Sequence, residues 1–219
     1  MVQAVVFDIG GVLAHDVWEH LLLDPNRGIA AVFELNTDEV RQLGRELWDV
    51  FAHRAADHEN TWEQLEIEYW SAFIERSQVP LTVGECILRT DEFITAIDGM
   101  QPLLLELRSR EIAMAICSNN TEFWFRRQMD KLGLAEFFKE RNIILSSRLG
   151  VSKSSPNFEM FHAVVASLKI DKEDCVLIDD RAKTIARAIN FGMPAIMFPS
   201  ESDRGAGYLR ALFKTMSIL

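Results

Sequence analysis

Five short apolar runs punctuate the chain: Ala4-Val5-Val6-Phe7, Ile112-Ala113-Met114-Ala115-Ile116-Cys117, Ile143-Ile144-Leu145, Cys175-Val176-Leu177-Ile178 and Ala195-Ile196-Met197-Phe198. They are continuous rather than alternating, the pattern of parallel strands covered by helices on both faces. Helix-like segments separate the last four, as in a series of βαβ units. From about Val17 to Ile97 the pattern is helical instead. Val40, Leu43, Leu47 and Phe51 recur at three- and four-residue spacing behind Asn36-Thr37-Asp38-Glu39, a helix-start signal. Thr61 with Gln64, and Thr82 with Glu85, have the spacing of capping boxes that open two more helices. A terminal helix is expected from Ala206. The pattern predicts an α/β fold: a Rossmann-like, parallel, five-stranded sheet flanked by helices, with a helical block inserted after the first strand.

Composition narrows the function classes. With 219 residues the expectation is one domain carrying a sizeable insertion. The 33 acidic and 23 basic residues leave a net charge of −10, which argues against sequence-blind nucleic-acid binding. A small anion is still admissible, because one lysine, a metal ion and helix N-termini make a local positive site. Cys86, Cys117 and Cys175 are widely spaced and odd in number, so neither a disulfide framework nor a structural zinc site is expected. Met1 to Phe7 carries no basic residue and Asp8 interrupts the apolar run, unlike a signal peptide. No stretch suits a membrane span. The expectation is a cytoplasmic protein, monomer or homodimer, that engages neither nucleic acid nor membrane.

In open parallel sheets ligands bind beyond the carboxyl ends of the strands. Strand one runs into Asp8-Ile9-Gly10-Gly11, strand two into Ser118-Asn119-Asn120 and strand four into Asp179-Asp180. Lys153 follows strand three, ahead of a helix expected to start at Ser155-Pro156. Three carboxylates converging on one sheet edge repel unless a cation joins them, and hard oxygen ligands of this kind suit Mg²⁺. The Ser118 hydroxyl, the Asn119 amide and backbone N–H groups can bond phosphate oxygens, while Lys153 adds a point charge. One carboxylate, screened by the metal, can then attack phosphorus. Alone, each piece reads as a turn, a helix cap or a solvated lysine. Their combination and order read as a phosphoryl-transfer site.

At this point the sequence resembles the haloacid dehalogenase-like hydrolase superfamily over nearly its whole length. The resemblance rests on Val6-Phe7-Asp8-Ile9-Gly10-Gly11-Val12-Leu13, Cys117-Ser118-Asn119-Asn120, Gly150-Val151-Ser152-Lys153-Ser154-Ser155-Pro156 and Val176-Leu177-Ile178-Asp179-Asp180-Arg181, in that order. It implies a core of residues 1–14 and 96–219 with a C1-type helical cap over 15–95. It implies a Mg²⁺-dependent phosphatase with Asp8 as nucleophile and Lys153 as its catalytic partner. Ser118, Asn119 and Lys153 would hold phosphate. Asp8, the Gly10 carbonyl and Asp180 would hold Mg²⁺, with Asp179 ligating directly or through water. The substrate class is a small phosphorylated metabolite, such as a sugar phosphate.

The chain departs from that pattern in three places. Gly10 stands where most phosphatases of the family carry an acid–base aspartate, which removes help typically worth about 10²–10⁴-fold. An anomeric phosphate, whose leaving hydroxyl is comparatively acidic, needs that help least, and the Gly10 branch is similar to bacterial α-glucose-1-phosphate phosphatases. His15 or Asp16 is a candidate substitute, against the alternative of a cap-hinge or turn residue. Ser154 replaces a proline and should loosen the Lys153 loop, and Val12 replaces a threonine.

Two other functions stay open on these residues. One is dehalogenation of a 2-haloacid, which Asp179-Asp180 disfavours. The other is a non-catalytic role binding a ligand or a protein, supported only by Gly10.

Among the remaining features, Trp18, Trp48, Trp62, Trp70 and Phe73 read mainly as the core of the insertion, with a few available to the substrate mouth. His53 and His58 lack metal-ligand spacing. Cys117 reads as an inert core thiol, and Gly205-Ala206-Gly207 does not follow a strand as a dinucleotide loop requires.

Overall fold

The computed structural model describes residues 2–57, 62–199 and 205–219, with the side chains of 52–57 and 62 outside the description. Strands β1 (Ala4–Phe7), β2 (Ala113–Ser118), β3 (Ile143–Leu145), β4 (Cys175–Asp179) and β5 (Ala195–Met197) form one parallel sheet in the order β3-β2-β1-β4-β5. Their continuous hydrophobicity has the expected cause. Val5, Phe7, Met114, Ile116, Val176 and Ile178 enter a core on one face, and Ala4, Val6, Ala115, Cys117, Cys175 and Leu177 enter another on the opposite face. Helices α6 (Met100–Ser109), α7 (Glu122–Leu132) and α11 (Ala206–Thr215) supply the first core, and α9 (Glu159–Leu168) and α10 (Ala182–Phe191) the second.

Between β1 and α6 lie α1 (Val17–Leu23), α2 (Ile29–Val32), α3 (Thr37–Asp57), α4 (Trp62–Ser77) and α5 (Val83–Phe93). Asn36 opens α3 by accepting the Asp38 and Glu39 N–H groups, and Thr82 with Glu85 makes the expected capping box on α5. The Thr61–Gln64 box, His53, His58 and the Trp62 ring lie outside the described residues. These helices pack around a third apolar cluster centred on Trp70 and Phe73, which α7 joins through Trp124. The chain leaves and re-enters the sheet layer through two paired linkers. His15 N–H donates to Thr95 O at 3.0 Å, and Ile97 N–H to Leu13 O at 3.1 Å.

Two local expectations are corrected. The helix expected at Ser155-Pro156 begins at Glu159 instead, because Phe158 adopts a left-handed φ of 60° and interrupts any earlier helical turn. A four-residue helix, α8 (Ser146–Leu149), follows β3 unannounced by the sequence. The three cysteines are free and buried. No helix among the described residues is long and apolar enough to cross a membrane.

Arg127 of α7 ties the inserted helices to the sheet layer. Its Nη1 donates to both Glu66 oxygens at 3.0 and 2.7 Å, its Nε to Asp91 at 2.7 Å, and its Nη2 to Ile87 O at 3.1 Å. Glu66 is only 2% exposed, and burial raises its pKa against the opposing pull of Arg127. Removing one member of such a pair strands the other. Arg127→Ala is therefore expected to lower the unfolding free energy by about 3 kcal/mol, read from the midpoint of urea denaturation.

Candidate active site

The chain order β1-β2-β3 runs to one side of the sheet and β4-β5 to the other, so the strand connections diverge between β1 and β4. A crevice opens at such a switch point, at the carboxyl ends of the strands. Phe7 lies in register with Ile178, which brings Asp8 alongside Asp179, and Asp8 N–H donates to Ile178 O at 3.0 Å.

Lys153 reaches the same place from the far loop. Its Nζ stands 2.7 Å from Asp8 Oδ2 and 2.6 Å from Asp179 Oδ2, and the residue is 4% exposed. Burial pulls the ammonium pKa down, but Asp8 and Asp179 outweigh it and hold Lys153 above its ordinary value. Asp8 faces this ion pair through Oδ2, while its Oδ1 accepts the Ile9 N–H at 2.8 Å. Asp179 commits both oxygens: Oδ2 to Lys153 and Oδ1 to the Arg181 N–H at 2.9 Å.

The loop bearing Lys153 is tied down despite Ser154. Asn119 Oδ1 accepts the Lys153 N–H at 2.8 Å, and the Ser152 and Ser154 hydroxyls bond at 2.7 Å. Arg187 of α10 donates to the Lys153 and Ser155 carbonyls. No motif in the sequence distinguished Arg187, because an arginine on a helix carries no sign of which loop it will brace. Asn120 meanwhile bonds Gln128 at 2.9 Å, and Thr121 caps α7. Ser118, 4% exposed, faces the crevice.

One carboxylate oxygen from each of Asp8, Asp179 and Asp180 lies within 4.8 Å of the other two. Asp180 Oδ1 is buried without a hydrogen-bond partner, and burial, then Asp8, then Asp179 push its pKa up to about 6. An orphaned, electrostatically crowded carboxylate is what a hard cation would satisfy, so the donor set fits a divalent metal. Gly11 permits this approach. Its φ is +72°, and a Cβ there would fall on the Asp180 carboxyl. Gly10 is different, since a Cβ at Gly10 meets nothing within 4 Å. Cys117, fully enclosed beneath the site, has its thiol pushed up to about 12 by burial.

Above the strand ends lies a cavity of about 770 Å³. Its floor includes Asp8, Ser118, Asn119 and Lys153, and its upper walls include His15, Trp18, Arg41, Arg45 and Trp48. His15 was a sequence candidate, but Arg41 and Arg45 escaped the sequence reading, because helical periodicity reports the buried face of α3 and says nothing about what covers the exposed one. Asp16 also borders the cavity, with its side chain accepting the Glu19 N–H as the N-cap of α1.

The parallel sheet flanked by helices, with carboxylates ending its first and fourth strands around a buried lysine, places the chain in the class of Rossmann-like α/β proteins. Within that class the chain belongs to the haloacid dehalogenase-like hydrolases, whose family model matches residues 2–192. It is 24% identical over 205 residues to the 6-phosphogluconate phosphatase of Escherichia coli, covering 90% of this chain and 82% of that one. It is 31% identical over 102 residues to a flavin mononucleotide hydrolase of Arabidopsis thaliana, covering 47% of this chain and 40% of that protein's length. In structure it is similar to a haloacid dehalogenase family enzyme of Bacteroides thetaiotaomicron in complex with magnesium and inorganic phosphate (TM-score 0.57, 17% identity, 93% and 97% of the two chains). It is also similar to the L-2-haloacid dehalogenase of Xanthobacter autotrophicus (TM-score 0.66, 17% identity, 100% and 85%). At these identities the structural likenesses speak for the fold.

Asp180 yields a test of cation binding independent of turnover. Unfolded, an aspartate titrates near 4, whereas in the fold Asp180 titrates at about 6. Its contribution therefore favours the fold below the unfolded value and is lost as pH rises through about 6. At pH 7 and without divalent ions, Asp180→Asn should melt above the wild type. Added Mg²⁺ should raise the wild-type melting temperature and leave that of the variant nearly unmoved.

Proposed function

We propose that the protein is a Mg²⁺-dependent phosphatase that hydrolyses a small phosphorylated metabolite through an aspartyl-phosphate on Asp8. The observation that carries this reading is the buried Lys153 ammonium, 2.7 Å from Asp8 and 2.6 Å from Asp179, with the orphaned Asp180 carboxylate beside it. A binding protein has no need of a nucleophile held against a buried lysine. A dehalogenase attacks carbon without a metal, and the unpartnered Asp180 oxygen argues for one.

In this reading Mg²⁺ is held by Asp8, Asp180 and the Gly10 carbonyl. It supplies charge neutralisation for the phosphoryl group. Asp179 positions Lys153 through Oδ2 and would reach the metal directly or through water. Lys153, the Ser118 hydroxyl and the Asn119 backbone hold the phosphoryl oxygens while Asp8 Oδ2 attacks phosphorus in line with the leaving oxygen. Residues 15–95 act as the cap. Their helices roof the cavity, and the paired linkers at His15–Thr95 and Leu13–Ile97 form its neck. The roof combines Trp18 and Trp48 with charged side chains, a mixture suited to the apolar face and hydroxyls of a sugar. A phosphorylated sugar, with anomeric phosphate the least demanding on Gly10, is the proposed substrate class.

Hydrolysis of an aryl phosphate, measured by phenolate release, should require Mg²⁺ and fall to background in Asp8→Asn. Chloride release from 2-chloropropionate without metal, in place of phosphatase activity, would overturn the assignment.

A further inference from the structure

Gly10 leaves half of the proposed reaction without a visible agent. A good leaving group lets Asp8 be phosphorylated unaided, but the water that later attacks phosphorus must still lose a proton. The open space around Gly10 is where the acid–base group is missing, and the local backbone shows what comes near it.

The chain after Asp8 makes a single tight turn. Ile9 O accepts the N–H groups of Val12, Leu13 and Ala14, Gly11 N–H donates to Ala14 O at 2.8 Å, and a bridge pairs Gly10 with Ala14. Four residues beyond Gly10 the chain has therefore returned to its side, and His15 is the next residue out. Its backbone is fixed by the bond to Thr95, and the residue lines the same cavity as Asp8, Gly10 and Lys153. Asp16, the other candidate, has its carboxylate engaged by the Glu19 N–H at the start of α1. His20 packs edge-on against His15, with ring centroids 5.2 Å apart, and does not border the cavity.

We propose that His15 is the general base of the hydrolytic half-reaction, a reading that rests on the phosphatase assignment above. The imidazole takes a proton from water as the water oxygen bonds phosphorus. The Asp8–phosphorus bond breaks, and its electron pair returns to the Asp8 carboxylate. Inorganic phosphate departs, and the imidazolium passes its proton to the leaving oxygen of the next substrate. Each turnover consumes one water and restores every group.

The state of the imidazole suits the task. Burial, then the neighbouring His20, lowers its pKa, while Asp98 opposes them. The proton-accepting form therefore prevails at neutral pH.

The test is His15→Asn, a substitution that keeps a polar side chain of similar reach but removes the base. With an aryl phosphate and Mg²⁺, phosphorylation of Asp8 should persist while turnover slows about 10²-fold. The first milliseconds should then show a burst of phenolate approaching one per active site, followed by a slow steady state. Gly10→Asp in the His15→Asn background should restore turnover, because the space beside Gly10 admits the new side chain. An unchanged steady state in His15→Asn would overturn the proposal. So would equal loss of burst and steady state in a variant whose melting temperature matches the wild type. If wild type and Asp8→Asn alike release no phosphate from any aryl or sugar phosphate, the phosphatase reading itself fails and the role of His15 falls with it.

Discussion

Lys153 is the interaction on which the site depends. Its ammonium is enclosed between two carboxylates, at 2.7 Å from Asp8 and 2.6 Å from Asp179. Desolvating three ions is costly, and the cost is recovered only if geometry is held closely. The surrounding structure does that holding. Asp179 is fixed by the Arg181 N–H, Asp8 by the Ile9 N–H, and the Lys153 backbone by Asn119 and Arg187. Counting Asp180, three carboxylates face one lysine, so the cluster retains excess negative charge. Burial first, and then that excess charge, raises the Asp180 pKa, and the resulting donor set suits a divalent cation.

The sheet explains why such a cluster can form from residues far apart in sequence. Asp8, Ser118 and Asp179 close neighbouring parallel strands, so their placement is fixed by register rather than by loop flexibility. Both faces of those strands are buried, and a one-residue slip would exchange the two hydrophobic cores. Gly11 completes the arrangement from the backbone side, turning the chain where any side chain would collide with Asp180.

Much of this was legible in the sequence. The strands were visible because buried strands read as unbroken apolar runs, and the polar residues that follow the first, second and fourth runs mark the sheet edge. Asp8, Asp179, Asp180 and Lys153 followed from that edge. The helices α1 to α5 fall within the stretch from about Val17 to Ile97 that periodicity and caps marked as helical. The late start of α9 was hidden, because Pro156 gave a helix-start signal while Phe158 takes a left-handed conformation that sequence rarely announces. Arg187, Arg127 and the polar roof of the cavity were hidden for another reason. Each acts across a tertiary contact, and local pattern records only which residues avoid water.

Helix α7 joins the two halves of this account. It begins at Thr121, directly after the turn that carries Ser118 and Asn119, and its Trp124 and Arg127 side chains belong to the packing of the inserted helices. Gln128, on the same helix, anchors Asn120. The strand-end turn and the roof of the cavity are thus braced by one rigid element, through a guanidinium shared by Glu66 and Asp91. A roof clamped in this way resists swinging as a free lid at its α4–α5 side. Elsewhere around the cavity, Arg41, Arg45 and Trp48 of α3 line its wall. The same buried ion pair that stabilises the inserted helices therefore also holds the helix whose N-terminus follows the Ser118–Asn119 turn.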